Sequence, residues 1–391
     1  MSFSVKWETH NSSSGAVLTL SGSVEREQAP VFGEELRRLL SEADNPTPEL
    51  ACGGLEYLSV SALRELVGLR GRFDFVLLSG LNDRIYEQLR STGLDRFLRL
   101  EKSLRRISAE GLPLIGKGQT AAVYRLNEEQ VLKLYKQGFP LSMVRQERDM
   151  TAAAQEAGFS APIPFELVTS GKQYGAVYEY VPGLTLKQNV LEDPSRLSYY
   201  AAIYADFIKS SHKNTSVRSG VPSLKQRWKD LSSAITLSDA SERVPLLDAL
   251  NRIPDCTCLL HADANPSNLL ITGNASLTML DFFTAGTRHP VFDLQGVYYP
   301  CLLLFPPYCT DPREQQLIPA LWNAFLQIYF AGLEPASIAG IARAIRIVAG
   351  VRFLFYTQFF AAGSQMLAVR TEEVRRSMAR DLAQGMILWS E

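Results

Sequence analysis

Over the first hundred residues the hydrophobic positions change rhythm repeatedly. AVLTL at 16–20 reads as a strand closed by a Ser21-Gly22 turn signal, and VFGEELRRLLSEA at 31–43 sets apolar residues at helical spacing with charges on the opposite face. The alternation recurs, predicting a strand over 48–52, a helix over 61–70, a strand over 73–79, a helix over 84–92 and an edge strand over 97–100. Strands and helices alternating at this pace predict a small sheet layered by helices, here residues 1–104. From about residue 105 the rhythm changes. Strand-like runs LIGKGQTAAVYRL (114–126) and VLKLY (131–135) precede a helical run, MVRQERDMTAAAQ, and then come APIPFEL (161–167) and YGAVYEYVPG (174–183). The Pro-Gly break closing the last of these suits a hinge between two lobes. A sheet-bearing lobe over 105–182 and a mostly helical lobe over 183–391 follow, so the expected class is α/β plus α+β.

Composition narrows the picture. A chain of 391 residues, 46% hydrophobic and 21% charged, exceeds one ordinary core and suits two or three domains. Forty Lys and Arg against 41 Asp and Glu leave a formal charge of -1, so no global field recruits nucleic acid or an anionic membrane. Five cysteines make no disulfide framework, and Cys256-x-Cys258 lacks a second pair to complete a zinc site, which fits a reduced compartment. No apolar stretch follows a basic start at the N-terminus. The richest apolar runs are broken, 297–309 by Pro300, Pro306 and Pro307, and 347–363 by Arg352. A cytoplasmic protein without a membrane span is expected.

Several residues carry candidate chemistry. Gly116 and Gly118 lie in a turn between strand-like runs, where missing Cβ atoms let backbone N–H groups approach phosphate oxygens; a plain hairpin uses the same pair. Lys133 shares a strand face with Val131 and Tyr135, and an inward lysine under such a turn needs anions around it. Glu147, on the following helix, is the best candidate for a carboxylate that steadies it. Main-chain groups from Glu179 to Val181 are placed to pair with an adenine, while Tyr178 and Tyr180 serve equally well as core aromatics. The strongest signal is LLHADANPSNLLI (259–271), followed by LTMLDFFTAG (277–286). A hairpin of these two runs brings Asp263, Asn268 and Asp281 to one mouth. There Asp263 can take or orient a hydroxyl proton, and Asn268 and Asp281 can offer hard oxygen ligands to Mg²⁺.

Two resemblances follow from these residues. The element order of 1–104 and the turn YLSVSAL at 57–63 resemble the STAS domain of anti-sigma-factor antagonists, whose Asp-Ser-Ser-Gly turn is phosphorylated on its second serine. Ser59, Val60, Ser61 and Ala62 occupy that turn here, so Ser61 keeps the hydroxyl while the Asp and Gly are gone. The resemblance implies a docking or regulatory domain with Ser61 as a regulatory position; helix capping is the ordinary use of such a serine. Residues 105–391 resemble the aminoglycoside phosphotransferase and choline kinase branch of the protein-kinase-like fold. The family's His-Gly-Asp-x4-Asn stands here as HADANPSN, with Ala262 in the glycine's place. By that resemblance Asp263 is the catalytic base, Asn268 and Asp281 hold magnesium, Lys133 and Glu147 position phosphate, and Gly116 and Gly118 cover the nucleotide. His261 is then structural, and Asp293 ties down the catalytic loop.

The implied function is an ATP- and Mg²⁺-dependent phosphotransferase, with GTP an alternative donor, acting on a hydroxyl of a small molecule. A nucleotide-sensing scaffold acting through a protein partner of the STAS-like domain is the competing reading. Residues 290–391 carry eight acidic and eight basic side chains, too few carboxylates in excess to line a pocket for a polycationic aminoglycoside. Tyr298, Tyr299, Phe305, Tyr308, Trp322, Phe355 and Tyr356 offer an amine or sugar pocket, although aromatics at this spacing more often pack a core.

Overall fold

A computed structural model describes residues 3–8, 17–42, 48–69, 73, 76–213, 221–237, 239–255, 258–273, 276–304, 309, 311–361 and 364–386. Ala16, Ala43, Arg70, Asp74, Phe75, Cys256, Phe305, Pro306, Pro307 and Tyr308, which entered the expectations above, lie outside them. Contacts divide the chain into two compact units, one of residues 1–111 with 134–142 and 166–175, the other of 112–133, 143–165 and 176–391.

The first unit carries β1 (Ser4–Glu8), β2 (Val17–Val24), α1 (Ala29–Glu42), β3 (Glu49–Leu58), α2 (Val60–Val67), β4 (Val76–Leu81), α3 (Asp83–Ser91) and β5 (Leu98–Lys102). The five strands lie side by side in sequence order. β1 pairs antiparallel with β2, and the other neighbours are parallel, each joined by one crossover helix. Ala29, Phe32, Leu36, Leu39 and Leu40 give α1 the apolar stripe that covers the sheet. β1 is an addition to the expected pattern, and β5 is the edge strand foreseen. The Ser21-Gly22 pair is not a turn. Gly22 takes φ 84° and the β2–β3 register shifts beside it, so β2 bends and continues to Val24. The cap of α2 also falls elsewhere than expected. Ser59 is the N-cap, accepting a hydrogen bond from the Ala62 N–H at 3.2 Å, whereas Ser61 sits inside the first turn.

Further along come β6 (Arg105–Arg106), β7 (Leu114–Lys117), β8 (Ala121–Arg125), β9 (Gln130–Tyr135), α4 (Leu141–Glu156), β10 (Pro164–Ser170) and β11 (Gln173–Glu179). Their strands form a six-stranded sheet in the order β6-β10-β11-β9-β8-β7. After β12 (Leu184–Thr185) the second unit is mostly helical: α5 (Leu186–Glu192), α6 (Leu197–Ser211), α7 (Leu224–Ala234) and α8 (Arg243–Arg252) precede β13 (Leu259–Leu260), β14 (Leu269–Ile271), β15 (Leu277–Met279) and β16 (Gly286–Thr287). Helices α9 (Val291–Tyr298), α10 (Pro312–Tyr329), α11 (Pro335–Phe359) and α12 (Gln365–Gln384) complete it. Tyr204, Trp228, Phe292, Phe325 and Phe353 anchor its core. No helix among the described residues is long and apolar enough to cross a membrane.

Helix α9 fixes the loop after β13. Asp293, fully buried, accepts the Ala262 N–H at 2.6 Å through Oδ1, and its Oδ2 lies 2.9 Å from His212 Nε2. Gln295 Nε2 donates to the Ala262 carbonyl at 2.9 Å. Gly296 brings the helix backbone against that same peptide, and a Cβ there would lie 2.7 Å from the Ala262 carbonyl carbon. We expect Gly296→Ala to destabilise the protein by about 1–3 kcal/mol through overpacking against rigid backbone, read as a lower urea midpoint with unchanged m-value. We expect Ser59→Ala to cost about 1 kcal/mol by losing the cap, and Ser61→Ala to stay within about 0.5 kcal/mol of wild type by the same measurement.

Candidate active site

The glycine turn is the β7–β8 hairpin, closed by the Gly118 N–H donating to the Ala121 carbonyl at 2.8 Å. Neither Gly116 nor Gly118 has a positive φ, and a Cβ at either would meet only ordinary contacts at 3.5 Å. The hairpin therefore does not itself require glycine at these positions; their bareness leaves room beside the backbone. From the tip of the turn, Gln119 Nε2 donates to the Tyr356 hydroxyl on α11 at 3.3 Å.

Lys133, in the middle of β9, is 14% exposed and reaches two carboxylates, Glu147 Oε1 at 2.5 Å and Asp281 Oδ2 at 3.3 Å. Glu147 comes from α4 and is buried. Burial acts most strongly against the lysine's charge, yet Asp281 and Glu147 outweigh it and hold the ammonium above the usual lysine range. A cation this dry, placed between two carboxylates, is fixed in position and stays charged.

The segment after β11 was expected to present main-chain groups. The Glu179 N–H donates to the Ile163 carbonyl at 2.8 Å and the Tyr180 N–H to the Glu129 carbonyl at 2.7 Å, whereas the Val181 N–H makes no backbone bond among the described residues. Tyr178 is buried, while Tyr180 is half-buried with the Arg125 guanidinium 3.2 Å from its ring centroid. Two residues on, Gly183 runs so close to β14 that a Cβ would lie 2.4 Å from the Ile271 carbonyl oxygen, which admits no side chain.

The hairpin of β14 and β15 returns the chain as its sequence predicts. The Leu280 N–H donates to the Asn268 carbonyl at 2.7 Å, and the His261 ring donates from Nε2 to the Leu280 carbonyl at 2.8 Å while Nδ1 accepts the Asp263 N–H at 3.2 Å. His261 is thus a fully buried brace between the two segments. Ala262 stands at φ 61°, a conformation that glycine adopts freely and that costs alanine about 1–2 kcal/mol. That backbone requirement accounts for the glycine of the motif it resembles. Asp281 adopts the same left-handed region at φ 66°.

Asp263 is held at both oxygens. Oδ1 accepts from Arg352 Nη2 at 3.0 Å, and Oδ2 from Asn268 Nδ2 at 3.0 Å and Asn265 Nδ2 at 3.3 Å. Burial raises its pKa above the ordinary aspartate value, opposed chiefly by the Arg352 charge. Asp281 is shifted the other way: its surroundings raise it, but Lys133 overcomes them and keeps the carboxyl below the usual range. Asn268 spends its amide nitrogen on Asp263, leaving its amide oxygen turned to other use. That oxygen and the 42%-exposed Asp281 carboxylate are hard oxygen donors of the kind Mg²⁺ takes.

Arg352 is the residue that the sequence reading missed. Its signal is that it is the one charge in the apolar run 347–363: such an arginine needs a buried acceptor, and Arg352 takes both Asp263 and the Ala262 carbonyl, the latter at 2.8 Å. Of the aromatics proposed for a pocket, Tyr299 and Trp322 are core, Tyr298 packs edge-on to Trp322, and Tyr356 is tied to the glycine turn. Ser61 lies in the first unit.

The fold is similar to the apo form of a thermostable mutant of aminoglycoside phosphotransferase APH(4)-Ia, at 12% identity and a TM-score of 0.50, covering 70% of this chain and 94% of that one. Similarity extends to a choline/ethanolamine kinase family protein from Mesorhizobium loti, at 16% identity and a TM-score of 0.49, covering 70% and 92%. No curated protein matches the chain. Residues 7–102 match the family model described as Mlab, STAS domain, so a STAS domain precedes the site-bearing part. Residues 111–335, more than half the chain, match the model of the phosphotransferase enzyme family, and the chain belongs to that family.

Proposed function

We propose that the chain transfers the γ-phosphoryl group of ATP to a hydroxyl of a small molecule, with residues 105–182 and 183–391 as its two lobes. The observation that carries this reading is the Lys133 ammonium, held at 2.5 Å from Glu147 and 3.3 Å from Asp281, beside the Asp263–Asn268 pair. Lys133 binds the α/β-phosphates, Glu147 holds it in place, and the backbone at Gly116 and Gly118 covers the phosphate chain. The adenine pairs with main-chain groups of the segment from Glu179 to Val181. Asn268 and Asp281 would hold Mg²⁺, which when bound neutralises charge on the phosphate oxygens. Asp263 orients the acceptor hydroxyl and takes its proton as the new O–P bond forms and the bond to the departing ADP oxygen breaks. Retention of that base alongside the complete Lys133, Glu147 and Asp281 group supports an enzyme over a nucleotide-sensing scaffold. The STAS domain is the docking or regulatory part in this reading, with Ser61 its modifiable hydroxyl.

Coupled ADP release, with water or a panel of hydroxylated metabolites as acceptor, tests the assignment. We expect Asp263→Ala to lower turnover by about 10²–10⁴-fold while Mg-ATP still raises the melting temperature; equal ADP release by the variant and the wild type would exclude Asp263 as the base. Asp281→Ala should instead abolish the Mg-ATP shift in melting temperature. The raised pKa of Asp263 means that the protonated, inactive form persists above the usual aspartate range, so activity rises with pH along a displaced acid limb. Arg352→Gln removes a charge that lowers this pKa, and we expect the limb of the ADP-release profile to move to still higher pH.

A further inference from the structure

Positive charge accumulates beside Asp263. Arg352 touches the base, and Arg227, on α7, approaches the same loop from the next helix. Arg227 Nη1 donates to the Thr284 carbonyl at 2.7 Å, and the Thr284 hydroxyl donates to the His261 carbonyl at 2.9 Å, two residues before Asp263. The neighbouring Trp228 pins α7 to α11 by donating from Nε1 to the Val348 carbonyl at 2.7 Å, one turn before Arg352. Arg227 is half-buried, has no carboxylate partner among the described residues, and feels the repulsion of Arg352. Asp263 is the counter-charge of Arg352, at 3.0 Å, and it is already shared with Asn268 and Asn265. A half-buried guanidinium with no carboxylate partner, near a second whose counter-charge is shared, is costly alone and favourable once an anion binds. One turn beyond Arg352, Tyr356 meets Gln119 of the glycine turn, so α11 runs from Asp263 to that turn.

We propose that the acceptor is an anion: a small hydroxylated molecule that also bears a phosphate monoester or a carboxylate, bound by Arg227 and Arg352 beside Asp263. This rests on the phosphotransferase reading and names its substrate class. The guanidinium fork matches either group bidentately. An anion that draws on Arg352 also loosens its hold on Asp263 Oδ1, the oxygen the acceptor hydroxyl needs, and a polycationic acceptor is repelled by the same pair.

The test uses the full chain and thermal shift with inorganic phosphate and with acetate, each against chloride at equal ionic strength. A saturable rise in melting temperature is expected with at least one of the two anions in the wild type, phosphate alone marking a phosphate monoester and acetate a carboxylate. Arg227→Gln should weaken the apparent affinity at least ten-fold, and Arg227→Lys, which keeps charge but not the fork, by less. No saturable shift beyond chloride with either anion, or a shift equal in wild type, Arg227→Gln and Arg227→Lys, overturns the proposal. AMP-PNP is titrated separately. Loss of its stabilising effect would count against the phosphotransferase reading, whereas the Arg227-dependent part of the anion response bears on the acceptor site alone.

Discussion

The peptide between His261 and Asp263 is forced into a left-handed turn, and the site depends on what keeps it there. An alanine at φ 61° stays put only because its neighbours over-determine it. Its N–H is taken by a buried carboxylate of Asp293, and its carbonyl by Gln295 and Arg352. Asp293 is in turn braced by His212, whose other ring nitrogen meets the Tyr329 hydroxyl at 2.7 Å. Helices α6, α9, α10 and α11 thus converge on one strained residue, and the direction of the Asp263 side chain is set by the core.

The charges of the site are graded by surroundings. Lys133 lies almost dry between two carboxylates and remains an ammonium, while Asp281, beside it, remains ionised. Asp263, a short way along the same loop system, is pushed toward holding a proton. A pair of aspartates displaced in opposite directions suits the proposed division between a group that stays charged and one that exchanges protons, and burial with one lysine suffices to create it.

Much of this could be read from the chain. HADANPSN followed by a strand ending in Asp281 implied a hairpin with its polar residues at one mouth, and short-range turn geometry enforces that outcome. Lys133 and Glu147 could be matched because a strand and the helix that follows it bring few alternatives into reach. Local signals misled where the sheet overruled them: Ser21-Gly22 looked like a turn, but pairing with β3 carried the strand through it as a bulge. Ser59, two residues earlier than Ser61, took the cap because the strand ends at Leu58. The partners of Arg352 and Arg227 were out of reach for a different reason. Their roles come from contacts 89 residues away from Asp263 and 57 residues away from Thr284, and no local periodicity encodes separations of that size.

The bond between Gln119 and Tyr356 is long, at 3.3 Å, and exposed to solvent. Such a contact contributes on the order of 0.5–1 kcal/mol, so water replaces it in a sizeable minority of molecules at any instant. The glycine turn therefore rests against α11 rather than being locked to it.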